Sequence, residues 1–447
     1  MTVKAFIKGC AAAATIVTAT MSATMSAGLA ADLAIVHAGR LLAEPGAAPL
    51  GNRSVIIRDG RIAEIREGFV DAAAAGAADG DDVVIHDLSD MFVMPGLIDG
   101  HVHITHENNP RARLQRVEMS AADYAVAGAG FARTTLMAGF TTVRDVGARE
   151  RDAIFALRAG IERGDVVGPR IFASGSTISV TGGHGDGTQG YREDIGEILH
   201  HTGVCDGVGS CRQAVREQVR AGADHIKLTA TAGVLSNTAA GLEQQFFEDE
   251  LEAIMDSAHA MNRKVTAHAH GVDGINAALR AGVDSIEHGT YLDSESIRLF
   301  KRNGAYLVPT VLAGVTVAEW AEDPESFLLP PQRAKAAEVG PNMLDMARRA
   351  HAGGVKIAFG TDSGVSRHGD NAREFALLVE AGLTPMEAIY AATVAGAENL
   401  GQSDMLGAIA PGKHADIIAV DGDPLTDVTE LEDVDFVMKG GTAYKTP

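Results

Sequence analysis

Basic charge is scarce in this 447-residue chain, with 38 Lys and Arg against 59 Asp and Glu and a formal net charge of -21 at pH 7. Such a surface repels nucleic acid and anionic lipid, and no Lys/Arg cluster with interleaved aromatics offsets it locally. Nucleic acid is therefore not an expected partner. Cysteine is nearly missing too, at three residues, and none of the three has the His or further Cys neighbours that a zinc finger needs. No G-x-G-x-x-G follows the first strand-like run of the alternating region, where a doubly wound sheet carries its dinucleotide signature. What remains, 46% hydrophobic and 22% charged, suits one or two large globular cores of enzyme size.

The N-terminus has its own texture. Lys4 and Lys8 precede AAAATIVTATMSATMSAGLAAD, an uncharged small-residue stretch ending in A-x-A-like material at Gly28, Ala30 and Ala31. Residues 1–31 read as a secretory signal, being too rich in Ala, Thr and Ser for a membrane span. Cys10 in IKGC suggests a lipoprotein site only superficially, because Lys8 and the lack of a preceding apolar run oppose it. A secreted or periplasmic protein, with no stable membrane insertion after cleavage, is the expectation. There Cys205 and Cys211, in CDGVGSC, are expected to close a short disulfide loop, whereas in a cytosol they would stay thiols.

From Asp32 to about Val93 short alternating runs (LAIVHAGRLL, RSVIIRDGRIAEI, DVVIHDL) are separated by Gly and Asp-Gly turns, which predicts strands and hairpins. The low-complexity DAAAAGAADGDD is expected as a surface loop. After Pro95, eight β-like runs alternate with helical stretches: PGLIDGHVH, FTTVRDVG, RIFASGSTIS, HIKLTA, KVTAHAH, SIEHG, AYLVPT and KIAFGTDS. Helical segments such as CRQAVREQVRAG, DELEAIMDSAHAMN and GINAALRAG lie between them. The fold expected is α/β, a (β/α)₈ TIM barrel over residues 94–402, with an open doubly wound sheet as the competitor. Strand-like texture returns in ADIIAV and DFVMKGGTAY, so residues 32–93 and 403–447 are expected to form one composite small β-sandwich domain.

On a strand, residues i and i+2 share a face, so His101 and His103 of LIDGHVH point together from the C-terminal end of the first barrel strand. An H-x-H pair alone is weak evidence, since satisfied histidines are commoner than ligands. The other strand ends add Lys227, His268, His288 and Asp362. Lys227 could snorkel, the histidines could bond in a core, and Asp362 could cap a helix. Together they match the first shell of zinc or a related divalent ion, imidazole with carboxylate. An ammonium beside such an ion is repelled by several kcal/mol, roughly, at an effective dielectric near 20. Lys227 would therefore lose its proton and could take up carbon dioxide as a carbamate bridging two ions.

LIDGHVH, GFTTVRDVG, the strand Lys227, AHAHG, SIEHG, FGTDSG and PGKHADIIAVDGDPL resemble the amidohydrolase superfamily of binuclear metal hydrolases, over almost all of the mature chain. SGSTISVTGGHGD, ATAGVLS and TPMEAIYAAT are similar to its branch of Xaa-Pro dipeptidases and carboxypeptidase-like enzymes, which includes bacterial amidohydrolases that cleave ochratoxin. The resemblance implies two divalent ions, expected to be Zn. His101, His103 and Asp362 would hold the more buried ion, His268 and His288 the second, and carboxylated Lys227 both. A shared water would act as nucleophile, with Asp362 as catalytic acid and base and His288 helping the developing oxyanion. His184 and His270 are the expected substrate contacts, holding a free carboxylate beside the scissile amide. Tyr191 and Arg144 are poorer candidates, Arg144 because a buried ion pair with Asp145 would explain it. His368 could line the mouth, and His37, His86, His200, His201 and His414 receive no role. The resemblance also implies a homo-oligomer. Two other functions stay open at this point: a cyclic-amide, lactone or phosphoester hydrolase with the same centre, and a metal-free scaffold or binding protein.

Overall fold

The computed structural model describes residues 31–237 and 241–447; the expected signal falls on residues 1–31, of which 1–30 lie outside that range. Four strands come first: β1 (Leu33–Leu41), β2 (Leu50–Arg58), β3 (Arg61–Glu67) and β4 (Val83–Pro95). Asp59 and Gly60, at φ 50° and 72°, make the two-residue turn between β2 and β3. Positive φ at both positions matches the right-handed twist of the flanking strands.

Eight short strands follow: β5 (Leu97–Val102), β6 (Phe140–Asp145), β7 (Arg170–Ala173), β8 (Ile226–Thr229), β9 (Val265–Ala269), β10 (Ser285–His288), β11 (Tyr306–Val308) and β12 (Lys356–Ile357). They fall in order on the eight β-like runs. Parallel ladders join β5 through β7 and β8 through β12. Bridges close the two seams, Ile178 to Leu228 and Val102 to Ser363, and Gly100 N donates to Phe359 O at 2.9 Å. A parallel sheet closed on itself is the (β/α)₈ barrel, and the open-sheet alternative is removed.

Alternation sorts the side chains. Ile226 and Leu228 pack outward in the main hydrophobic core, so Lys227 between them faces the interior. Helices Val208–Ala221, Glu248–Ala260 and Val272–Ala281 carry the three amphipathic segments. The first and third stop at Gly222 and Gly282, whose left-handed φ costs a glycine little. Cys205 and Cys211 are disulfide-bonded across the start of helix Val208–Ala221, with Cα atoms 5.0 Å apart. Among the described residues no helix is long and apolar enough to cross a membrane.

The last strands, β13 (Ile417–Val420), β14 (Phe436–Lys439) and β15 (Thr442–Lys445), complete a seven-stranded sheet of order β15-β14-β13-β4-β1-β2-β3. β13 pairs antiparallel with the end of β4, Ile417 opposite Pro95. Val36, Val55 and Ile57 from one chain end share a core with Ala419, Phe436 and Met438 from the other. On the opposite face Leu33, Ile35 and Ile56 pack on Ala75. Ala75 belongs to the low-complexity insert, which lies at the surface as expected, and is its one buried residue at 4% exposed. The insert covers apolar strand residues that would otherwise face water.

Candidate metal centre

Two clusters of ligand-type atoms sit at the C-terminal ends of the barrel strands. In the first, one atom each from His101, His103 and Asp362 lies within 4.8 Å of the others. His101 Nδ1 is 2.6 Å from Glu287 Oε2 and His103 Nδ1 is 2.6 Å from Gly147 O. Carboxylate and carbonyl only accept, so each ring keeps its hydrogen on Nδ1 and turns Nε2 inward. The two Nε2 atoms stand 3.4 and 3.2 Å from Asp362 Oδ1, a buried oxygen with no hydrogen-bond partner. Two ring nitrogens and an orphaned carboxylate oxygen converging on one point fit a bound cation.

The second cluster is His268, His270 and His288, again within 4.8 Å. His270 Nδ1 and His288 Nδ1 bond to Thr290 Oγ1 and Thr310 Oγ1, each at 2.7 Å, leaving Nε2 of each free. The sequence reading set His270 above this cluster as a substrate contact. Its ring instead stacks on His288 with centroids 5.0 Å apart, so a third imidazole joins the two expected there. The donor set fits a divalent ion but brings no anion of its own.

Lys227 lines the same cavity as both clusters. Burial brings its ammonium down to about 8, with Glu287 and Asp362 pulling the other way. Among the described residues its Nζ donates no hydrogen bond, a poor state for a buried ammonium.

Beneath the ligands runs a charged network that sequence reasoning missed. Glu287 is fully buried and accepts from Arg144 Nη2 at 2.9 Å and Ser285 Oγ at 2.8 Å, as well as from Thr266. Burial opposes its charge, but the Arg144 guanidinium and the His101 contact hold it well below the usual carboxylate range. The expected Arg144–Asp145 pair does not form, because strand neighbours point to opposite faces. Asp145 instead accepts from Ile104 N and Gly147 N. The available signal was an acidic residue inside a four-residue strand otherwise suited to burial.

Backbone strain marks the same ends. His288, Thr310 and Asp362 are non-glycine residues at φ 69°, 49° and 58°, a region that costs on the order of 1–3 kcal/mol each. At His288 the positive φ breaks strand alternation: Ile286 faces out, yet the imidazole two residues on turns into the cavity.

The remaining expected residues are placed as follows. His184 reaches the cavity, stacks on His268 at 4.3 Å and holds Ser236 Oγ with Nδ1 at 2.6 Å. Burial pushes both His184 and His270 down to about 3, so they are neutral and act as hydrogen-bonding rings rather than cations. Tyr191 lies at the rim with its hydroxyl on Arg113 O at 2.7 Å. His368 braces a loop, Nε2 to His106 O at 3.0 Å. His201, given no role, lines the cavity and holds Gly185 O.

Residues 92–444 match the Amidohydrolase family. The chain belongs to the amidohydrolase family. Ochratoxinase of Aspergillus niger is 33% identical over 448 aligned residues, covering 93% of this chain and 87% of that protein. The crystal structure of a Xaa-Pro dipeptidase with methionine bound in its active site is 41% identical, with TM-score 0.85 over 92% of this chain and 100% of that one. A prolidase complexed with N-methylphosphonate-L-proline is 32% identical, with TM-score 0.82 over 93% and 100%. This amidohydrolase is accordingly a metal-dependent hydrolase with a binuclear site, its two clusters opening into one cavity of about 350 Å³. Val317, Trp320, Phe327, Leu328 and Met343 give the lining an apolar part, and Arg113, Arg116 and Arg149 a charged one.

Proposed function

We propose that this amidohydrolase cleaves an amide bond next to a free carboxylate, in an N-acyl amino acid or dipeptide, ochratoxin-type amides included. The observation that carries this reading is the convergence of the two ligand clusters and Lys227 on a single half-apolar cavity. The methionine and proline-phosphonate ligands of similar enzymes supply the carboxylate-bearing substrate class.

In this reading His101, His103 and Asp362 hold one ion, His268 and His288 the other, and zinc suits the imidazole and carboxylate donors. Lys227 carries a carbamate, formed when its amine nitrogen adds to carbon dioxide and releases one proton. That anion supplies the charge the second cluster lacks. When bound, the two ions lower the pKa of a shared water and polarise the amide carbonyl. Asp362 takes the proton of the attacking water and delivers it to the leaving amine nitrogen, both from one carboxylate. His288 lies beside the developing oxyanion. His184, fixed through Nδ1 by Ser236, turns Nε2 toward the substrate, and His270, its Nδ1 hydrogen held by Thr290, stands as a second substrate contact.

The chain is read as exported, with residues 1–31 removed, and as a homo-oligomer. The leader composition and the Cys205–Cys211 bond support export; family resemblance supports the oligomer. The division into a 94–402 barrel and a 32–93 plus 403–447 domain belongs to the same reading.

Kinetics on N-acyl amino acids and dipeptides, each beside its carboxyl-amidated form, test the function. Free acids are expected to turn over faster, chelator is expected to abolish turnover, and equal rates for acid and amide overturn the carboxylate requirement. Mass spectrometry after growth in labelled bicarbonate tests the carbamate, which Lys227→Met must eliminate.

A further inference from the structure

Besides His184 and His270, the cavity is lined by groups that carry permanent positive charge. Arg113, Arg116 and Arg149 line the cavity; the first two lie on the short helix Ala112–Glu118 that follows β5 and the third in the loop after β6. A guanidinium carries about five N–H donors. Arg113 spends one on Gly190 O at 3.1 Å and lies over the Tyr191 ring at 4.4 Å. Arg149 spends two, on Ala112 O and Asn108 Oδ1 at 3.2 and 3.0 Å. Among the described residues Arg116 spends none.

No carboxylate stands within ion-pair distance of them; Arg116 acts only from farther off on Glu150, lowering a carboxyl that burial raises. Among the described residues none of the three forms an ion pair within 4.0 Å, and residues 1–30 and 238–240 contain no Asp or Glu. Elsewhere the chain pairs arginines readily, as in Arg144–Glu287 and Arg158–Asp224. Burial and then the nearby Arg149 charge pull Arg116 down, so the like charges face each other across little water. Room for Arg116 is made by Gly187, where a Cβ would stand 2.4 Å from Nη2. Holding unpaired guanidiniums together in a cavity is unfavourable without an anion, and a planar fork suits a carboxylate.

Their position orients the substrate. Gly147, two residues before Arg149, accepts from His103 Nδ1, and the His106 ring, 5.4 Å from that of His103, is depressed by burial and then by Arg149. The arginines therefore flank the His103 side of the cavity. The carboxylates lining the cavity are Asp362 and Asp186, and Asp186 is engaged by Gly182 N, Thr188 N and Thr188 Oγ1.

We infer that Arg113, Arg116 and Arg149 form an anion subsite that holds the free carboxylate of the substrate. This rests on the amide-hydrolase reading for the identity of the substrate, but the subsite can be tested without turnover.

The single tryptophan, Trp320, lines the same cavity and reports occupancy by fluorescence. The zinc-loaded protein is titrated with 3-phenylpropionate and with its uncharged counterpart, 3-phenylpropan-1-ol; neither has an amide to cleave. The acid is expected to bind at least about tenfold tighter, and salt should weaken the acid alone. Arg116→Gln and Arg149→Gln should each remove about tenfold of acid affinity while the alcohol, the reporter of an intact cavity, stays within about twofold. Arg116→Lys should restore part of it. Unchanged acid affinity in both Gln variants, or salt-independent acid binding by the native protein, overturns the subsite. Selective acid binding by a protein that cleaves no N-acyl amino acid would sink the reaction and leave the subsite. Cleavage that the arginine variants do not alter would do the reverse.

Discussion

His101 and His103 are braced by a buried carboxylate and a backbone carbonyl, whereas His270 and His288 are braced by two threonine hydroxyls. The first cluster contains its own anion, Asp362; the second consists of imidazoles alone. A carboxylate brace makes its histidine more electron-rich than a hydroxyl does, and an anionic ligand offsets cation charge directly. The clusters should therefore differ in affinity, with the second dependent on Lys227 for charge.

That difference can be broken from either side. Asp362→Asn removes the anion and the proton carrier together, and turnover is expected to fall by roughly 10²–10⁴, with metal analysis showing loss from the first cluster. A variant retaining both full stoichiometry and rate would refute the assignment.

Glu287→Gln leaves His101 in place but weakens its brace and strands Arg144 as an unpaired buried charge. Metal affinity of the first cluster should drop about 10–100-fold, read by competition with a chromophoric chelator. Equal weakening of both sites would erase the proposed contrast.

A pH test addresses the second cluster's support. Glu374 accepts from Val311 N and Leu312 N at 2.9 and 2.6 Å, next to Thr310, and burial pushes it up to about 8. Between its ordinary value near 4.5 and about 8 the folded state keeps a proton that the unfolded chain has lost. This group's contribution is fully present below about 4.5 and falls as pH rises toward 8, by up to about 5 kcal/mol in all. Melting curves across that window should show Glu374→Gln with a flatter decline, and an unaltered slope would remove Glu374 as its cause.

The smallest effect is expected from Thr310→Val, which keeps the β-branched shape and removes only the hydroxyl on His288. One neutral hydrogen bond is worth about 0.5–1.5 kcal/mol, so the second cluster should weaken by a few-fold while the first is untouched. A loss as large as that of Glu287→Gln would mean the two braces are equivalent after all.

Much of this was legible in the primary structure, for reasons that differ by residue. The eight barrel strands showed themselves because buried parallel strands read as short apolar runs between amphipathic helices. His101, His103, Lys227, His268, His288 and Asp362 stood out because polar side chains ending such runs are uncommon. Glu287 was hidden beside a more conspicuous histidine, and the three arginines because PRARLQR reads equally well as a solvated helix face. Ala75 escaped because a low-complexity stretch carries no period to betray its buried position.

Local pattern, then, determined the order of strands and helices and which side chains stand at the strand ends, since period and turn chemistry act over a few residues. Tertiary structure alone decided which nitrogen of each histidine turns inward, how positive φ re-aims His288, and that Arg116 meets no carboxylate. Those outcomes depend on partners distant in the chain, such as Glu287, 186 positions from His101, which only closure of the barrel brings within hydrogen-bonding reach.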